Sequence, residues 1–214
     1  MSDAAPDAQL SAGLDALGLD AAALAPPLQR YLALLNAQNA LHNLTAIRDP
    51  REQVTKHLLD SLAILPYIPV TGRLLDVGTG AGLPGIPLAL ARPALEVTLL
   101  DSRNKKVAFC AMAIAALGLA PRVRAVHARA EAFQGPRFDV IVSRAFSSLP
   151  EFVALTAQLG DASSRWLAMK GARPEAEIAE LSKAKGGRFV VEAVHPLQVP
   201  GLDAERCVVV LRRL

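Results

Sequence analysis

From Arg73 onward the chain alternates between short apolar runs and amphipathic stretches, and that alternation restricts it to very few folds. Strand-like runs fall at residues 74–77, 97–100, 123–127, 138–142 and 166–169, with helix-like stretches at 86–91, 105–117, 149–159 and 175–181. This order predicts a parallel sheet with right-handed crossovers and helices on both faces. Residues 189–194 and 206–211 follow without a helix between them and predict a closing antiparallel pair. The expected fold class is therefore α/β, a Rossmann-like sheet of seven strands.

Ahead of this unit, residues 1–68 read as a helical extension and cap on a domain formed by residues 69–214. Leu28, Tyr31, Leu32 and Leu35 make an i, i+3, i+4, i+7 stripe. A second helix announces itself with Asp49 as N-cap, Pro50 at its first position and Glu52 at the capping-box position. Its stripe is Val54, Leu58, Leu62 and Leu65, and residues 39–45 are expected to form the loop between the two helices.

The chemistry is concentrated in Leu74-Leu75-Asp76-Val77-Gly78-Thr79-Gly80-Ala81-Gly82-Leu83-Pro84-Gly85. A buried strand ends near Asp76, glycines permit a tight turn, and a helix begins near Pro84. Such a turn is expected to bring main-chain N–H groups close to a ligand at the helix N-terminus. Open parallel sheets bind ligands outside the carboxyl ends of their strands. Asp101, at the end of the second strand, is placed to accept both ribose hydroxyls of an adenosine. A dinucleotide fingerprint needs G-x-G-x-x-G, but here the glycines are Gly78, Gly80 and Gly82, and position 83 is Leu. A nicotinamide-dependent redox enzyme is thereby disfavoured. The G-x-G-x-G spacing after a strand acid instead resembles motif I of class I S-adenosylmethionine-dependent methyltransferases. After the third strand, Ala130 and Glu131 follow Arg129; Glu131 either faces an adenine edge or is a solvated helix-start residue.

The fourth strand ends in Ser143-Arg144-Ala145-Phe146, which bears on the methyl acceptor. An Asn/Asp-Pro-Pro-aromatic loop suited to exocyclic amines is absent. Neither Cys110 nor Cys207 lies where a nucleophilic thiolate is needed, and Arg144 stands where a base-assisted ribose methylation wants an acid. An sp² ring nitrogen, which needs no base, remains; the seven-position nitrogen of guanine is one, and Arg is its usual partner. Arg144 otherwise pairs with Asp76 or Asp101, and Phe146 either stacks on a base or packs in the core. Lys170, after the fifth strand, is positioned to hold an RNA phosphate. The four histidines are scattered and read as structural or surface residues, and no metal site is indicated.

The runs from Leu75 to Ala89, Leu99 to Ser102, Val142 to Phe146, Met169 to Gly171 and Leu197 to Pro200 resemble the RsmG (GidB) family of ribosomal RNA methyltransferases. So do Asn43-Leu-Thr45 and residues 57–62; the resemblance spans roughly residues 28–212. It implies methyl transfer from S-adenosylmethionine to the seven-position nitrogen of a guanine in 16S ribosomal RNA. Another RNA site or a small molecule is the alternative acceptor. The resemblance carries cofactor contacts onto Gly78, Leu83, Ala130, Glu131 and Arg144, and it places Arg129, Arg144 and Lys170 at the catalytic rim.

Charge distribution is consistent with an RNA partner. Net charge is +3, but residues 101–144 hold eight bases (Arg103, Lys105, Lys106, Arg122, Arg124, Arg129, Arg137, Arg144) against three acids. That stretch is a candidate RNA-contacting band, while the acidic N-terminus is expected to face away from phosphate. With aromatic residues at 4%, a broad base-stacking platform is excluded. Neither a signal peptide nor the ~20 apolar residues of a spanning helix is present. Two isolated cysteines suit a reducing compartment. A cytoplasmic monomer working on the small ribosomal subunit, without membrane or metal, is the expectation.

Overall fold

A computed structural model of the chain describes residues 4–144, 148–183 and 188–214. Phe146, proposed above as a stacking residue, lies outside the described residues. Helices α1 (Ala4–Ala16) and α2 (Ala21–His42) open the chain. Asp20 caps α2 by accepting from the Ala23 N–H. At the other end Asn43 adopts the left-handed conformation, φ 47°, and stops the helix. The helix thus runs four residues into the segment expected to be a loop. Asn39 accounts for the extension: its amide side chain turns outward to bond Thr45 O and N and leaves the helical backbone intact.

Asp49 caps α3 (Pro50–Gln53), accepting from Arg51 and Glu52 N–H groups. The helix continues as a π-helical stretch (Val54–Leu59) and closes as α4 (Asp60–Leu62). The expected capping box does not form, because the Glu52 carboxylate turns forward one turn to the Lys56 ammonium, 2.7 Å away. The stripe of Val54, Leu58, Leu62 and Leu65 is buried as its spacing demands.

Seven strands follow: β1 (Gly72–Val77), β2 (Leu95–Asp101), β3 (Val123–His127), β4 (Val140–Arg144), β5 (Arg165–Lys170), β6 (Phe189–Pro196) and β7 (Cys207–Arg213). They form one sheet in the order β3-β2-β1-β4-β5-β7-β6. β1 to β5 are parallel, and β7 enters antiparallel between β5 and β6. Helices α5 (Gly85–Ala91), α6 (Asn104–Ala116), α7 (Leu149–Thr156) and α8 (Glu175–Lys183) connect the strands.

The two-residue period of a strand divides the core into two layers. Leu74, Val142, Leu167 and Val210 face one layer, which also contains Leu28, Tyr31 and Leu58 from the N-terminal helices. Leu75, Ile141, Trp166 and Val209 face the other, filled by Leu149 and Phe152 of α7 and Leu181 of α8. Because β1 to β5 share one direction, their carboxyl ends, from Asp101 through Val77 and Arg144 to Lys170, lie along a single edge. No helix among the described residues is long and apolar enough to cross a membrane.

Candidate active site

The turn after β1 is organised by Asp76, a wholly buried carboxylate. Its Oδ2 accepts from the Thr79 hydroxyl at 2.6 Å and from the Gly85 N–H at 2.9 Å. Its Oδ1 is buried without a partner. Burial pushes its pKa up to about 6 despite those two hydrogen bonds and the nearby Arg144 guanidinium. Gly85 is required for close approach: a Cβ there would meet the Leu99 side chain and sit 2.8 Å from Asp76 Oδ2. Gly78, Gly80 and Gly82 have φ of 67°, 60° and 88°, a region that side chains disfavour.

The main-chain N–H groups expected to lie close to a ligand are instead bonded within the fold. The N–H groups of Gly78 and Thr79 donate to Leu100 O, that of Gly80 to Asp101 Oδ2, those of Gly82 and Leu83 to Thr79 O, and that of Gly85 to Asp76. With these donors consumed internally, the turn offers no row of free N–H groups to a pyrophosphate.

Four cavities run along the carboxyl edge, each sharing residues with the next. The first, about 280 Å³, lies between the ends of β1, β2 and β3; Gly78, Asp101, Arg129, Ala130 and Glu131 line it. The second, about 200 Å³, shares Gly78 and adds Gly80, Leu83, Thr45 and Lys106. His57 and Arg144 join it to the third, about 460 Å³, which Lys56, Asp60, Lys170 and Arg206 also line. A fourth, about 570 Å³, shares Gly171, Leu197 and Arg206 with the third and extends over the β6–β7 connection. The result is a trough following the strand order from β3 towards β7.

Of the expected cofactor and catalytic-rim residues, Gly78, Gly80, Leu83, Asp101, Arg129, Ala130, Glu131, Arg144 and Lys170 line this trough; Gly82 instead packs against the Ile86 side chain. Asp101 holds the turn through Gly80 and the start of α6 through Arg103 N–H, both at 2.9 Å. Each of its oxygens retains a second acceptor site. Glu131 and Arg129 are exposed at the mouth of the first cavity. Lys170 lies 2.8 Å from Glu177, whose carboxylate also accepts the Leu149 N–H at the start of α7.

Arg144 pairs with neither Asp76 nor Asp101. Its Nη1 donates to Lys56 O at 2.8 Å and Asp60 Oδ2 at 3.2 Å. Asp60 Oδ1 takes the Nε of Arg206 at 3.0 Å. One nearly buried carboxylate thus holds two guanidiniums, from β4 and from the residue before β7. The basic band of residues 101–144 also divides. Arg122, Arg124 and Arg137 precede or begin strands and therefore lie at the opposite, amino edge of the sheet. There they bond Ala89 O, Thr98 Oγ1 and Gly160 O.

This geometry allows the chain to be placed among known proteins. The model of the family described as rRNA small subunit methyltransferase G (GidB) matches residues 25–209. The chain belongs to that family. Relatives named ribosomal RNA small subunit methyltransferase G include one from Xanthomonas euvesicatoria pv. vesicatoria (strain 85-10), 50% identical over the whole of both chains. Another, from Stenotrophomonas maltophilia (strain K279a), is 50% identical over 93% of this chain and 91% of its own. In fold, the chain is similar to a SAM-dependent methyltransferase from Aquifex aeolicus, with TM-score 0.59 and 17% identity over 80% of this chain and 97% of that one. TrmN from Thermus thermophilus gives TM-score 0.55 and 22% identity over 82% and 53%. The family's fold is thus the class I methyltransferase sheet.

Sequence reading missed three members of this site in a GidB-family chain. His57, read as structural or surface, is buried at the junction of the second and third cavities, its Nε2 2.8 Å from Thr45 Oγ1. Burial and the adjacent Arg144 lower its pKa to about 4, so it is neutral near pH 7. Asp60 and Arg206 complete the set. Asn43-Leu-Thr45 and residues 57–62, already family-like in sequence, were the available signals. Helix α2 supports both halves of the site: the Tyr31 hydroxyl donates to Ala81 O in the glycine turn at 2.7 Å, and Asn39 holds Thr45 against His57.

Proposed function

We propose that this protein transfers a methyl group from S-adenosylmethionine to the seven-position nitrogen of a guanine in small-subunit ribosomal RNA. The observation that carries the choice of acceptor is the chemistry at the junction of the second and third cavities. A hydroxyl or amine acceptor needs a general base with a pKa near the working pH. At this junction His57 is too weak a base and is held by Thr45, Arg144 is a permanent cation, and both Asp60 oxygens are engaged by guanidiniums. Cys110, buried with its thiol pushed well above the ordinary value by burial, is no nucleophile. A ring nitrogen with a free lone pair is the acceptor such a site can serve.

The donor set fits the cofactor. Asp101, with Ala130 and Glu131, would hold the adenosine part in the first cavity, and the second cavity, walled by the glycine turn and Lys106, would take its methionine end with that end's carboxylate near the Lys106 ammonium. When bound, S-adenosylmethionine supplies an activated methyl group. The chain's own contribution is then positional: Arg144, fixed by Asp60 and Lys56 O, orients the guanine, and the enclosing walls fix the approach. Holding two reactants in line is worth up to ~7–11 kcal/mol. Lys170 and Arg129 lie on the rim, where they meet RNA backbone.

Residues 1–68 act as a cap on the domain of residues 69–214, since His57 and Asp60 reach the junction from it. The form in which it is proposed to work is a monomer in the cytoplasm, acting on RNA within the small subunit. The decisive test is nucleoside mass spectrometry of 16S ribosomal RNA from a strain lacking the gene. One 7-methylguanosine should be missing and should return with the intact gene but not with an Arg144→Ala copy. An unchanged nucleoside profile would exclude this function.

A further inference from the structure

We infer that the fourth cavity, over the β6–β7 connection, is a subsite for the RNA nucleotide adjacent to the methylated guanine. This rests on the RNA-methylating reading above and extends it along the strand. The third cavity is open to solvent and adjoins two others: one towards the glycine turn through His57 and Arg144, the other, the fourth cavity, past Gly171, Leu197 and Arg206. With a guanine in the third cavity and the cofactor on the glycine-turn side, the fourth cavity is the adjoining hollow left for the next nucleotide. Arg206 stands at the boundary the two share.

The composition of that cavity matches a nucleotide. Leu197, Val199 and Leu202 supply an apolar wall of the kind a base face needs. Asp203 and Glu205 place exposed carboxylates able to accept from base N–H groups. Arg206 serves the phosphate. Its Nε is fixed by Asp60 and its Nη1 by Glu205 O at 2.8 Å, so the guanidinium is oriented before RNA arrives. Asp60 is one carboxylate shared between two guanidiniums, Arg144 and Arg206, where the two cavities meet. The volume, about 570 Å³, lies within the ~300–1,000 Å³ usual for ligand pockets.

Ala204 gives a way to test this without removing a functional side chain, because it is exposed, lines the cavity and has a minimal side chain. Affinity for small-subunit RNA and methyl transfer are measured together for Ala204→Glu and Ala204→Lys, with S-adenosylhomocysteine affinity measured by calorimetry. The glutamate variant should bind RNA about tenfold more weakly and raise the KM for RNA with kcat kept. The lysine variant should bind as tightly as the parent or tighter, and S-adenosylhomocysteine affinity should not move in either. Cys110 is buried and Cys207, which lines the same cavity, is replaced by Ser, so a thiol-directed photocrosslinker is selective for an Ala204→Cys, Cys207→Ser variant. Its crosslink should map to the nucleotide beside the modified guanine.

Equal RNA affinities for the two charge variants, or crosslinks to ribosomal protein alone, would overturn the subsite. A charge-dependent affinity with the methyl group on an atom other than the seven-position nitrogen would leave the subsite standing and overturn the acceptor assignment instead.

Discussion

On the β1–β2–β3 side of the trough the turn at its centre is chiefly main chain: left-handed glycines, N–H groups bonded to Leu100 O and Thr79 O, and a carboxylate beneath them. On the β4–β5–β7 side they are charged side chains brought from distant elements, with Asp60, Arg144 and Arg206 interlocked. A backbone-built wall tolerates most substitutions except those that add atoms to its glycines, and it responds little to salt. A wall of ion pairs fails when one member is removed, because the others keep their charge with no partner. The first half suits a ligand that is always the same; the second suits a polyanion that must be gripped and released.

Removing the shared carboxylate is the severest test of that contrast. Asp60→Ala should lower the rate of methyl transfer by about 100-fold, the scale of a small misplacement of reacting groups. S-adenosylhomocysteine affinity, read by calorimetry, should stay within about twofold of the parent. Equal losses on both sides of the trough would mean that the two halves are not separately built. Gly85→Ala should do the reverse. Its added Cβ meets Leu99 and Asp76, at a cost of about 1–3 kcal/mol in overpacking, seen in urea denaturation together with weakened cofactor affinity.

The two halves also pull stability in opposite directions with pH. Asp76 titrates at 3.8 ordinarily and near 6 when folded. Between those values the native state binds the extra proton, so stability falls as pH rises from about 4 to about 6. His57 moves from 6.5 to about 4; there the unfolded chain binds the extra proton, so stability rises over nearly the same interval. The two slopes offset each other, and His57→Asn should reveal a decline of up to ~1.4 kcal/mol per pH unit. Denaturation midpoints between pH 4.5 and 6 that run parallel in both proteins would contradict this. The smallest effect belongs to Asp49→Ala, which removes an N-cap at about 1 kcal/mol. It should lower the melting temperature by a few degrees and leave cofactor affinity intact.

Much of the backbone-built half is legible in sequence because it is local. The β3 strand has the bounds its apolar run predicted, and Asp76, Gly78, Gly80 and Asp101 lie within a strand-turn-helix-strand of familiar spacing. The side-chain half is not local. Asp60 and Arg206 are separated by 146 positions, and no periodicity links them. Arg144 could be placed at a strand end, yet its partner came from a helix that the strand pattern does not mention. The basic band is not one surface, for a geometric reason: sequence proximity ignores that entering and leaving a parallel strand puts residues at opposite edges of the sheet. His57, read as structural or surface, is buried and held by Thr45 as a structural residue would be; only its place between two cavities was hidden, because a lone histidine in a helical stripe resembles any core residue.

The contacts of α2 have a mechanical consequence. Tyr31 holds the glycine turn, and Asn39, eight residues along the same helix, holds the loop that presses on His57. At ~1.5 Å per residue these attachment points are about 12 Å apart. A stiff rod of that length works as a ruler between donor and recipient. A one-residue insertion or deletion between Tyr31 and Asn39 would miscalibrate it, swinging one attachment about 100° around the axis with every charged group still in place.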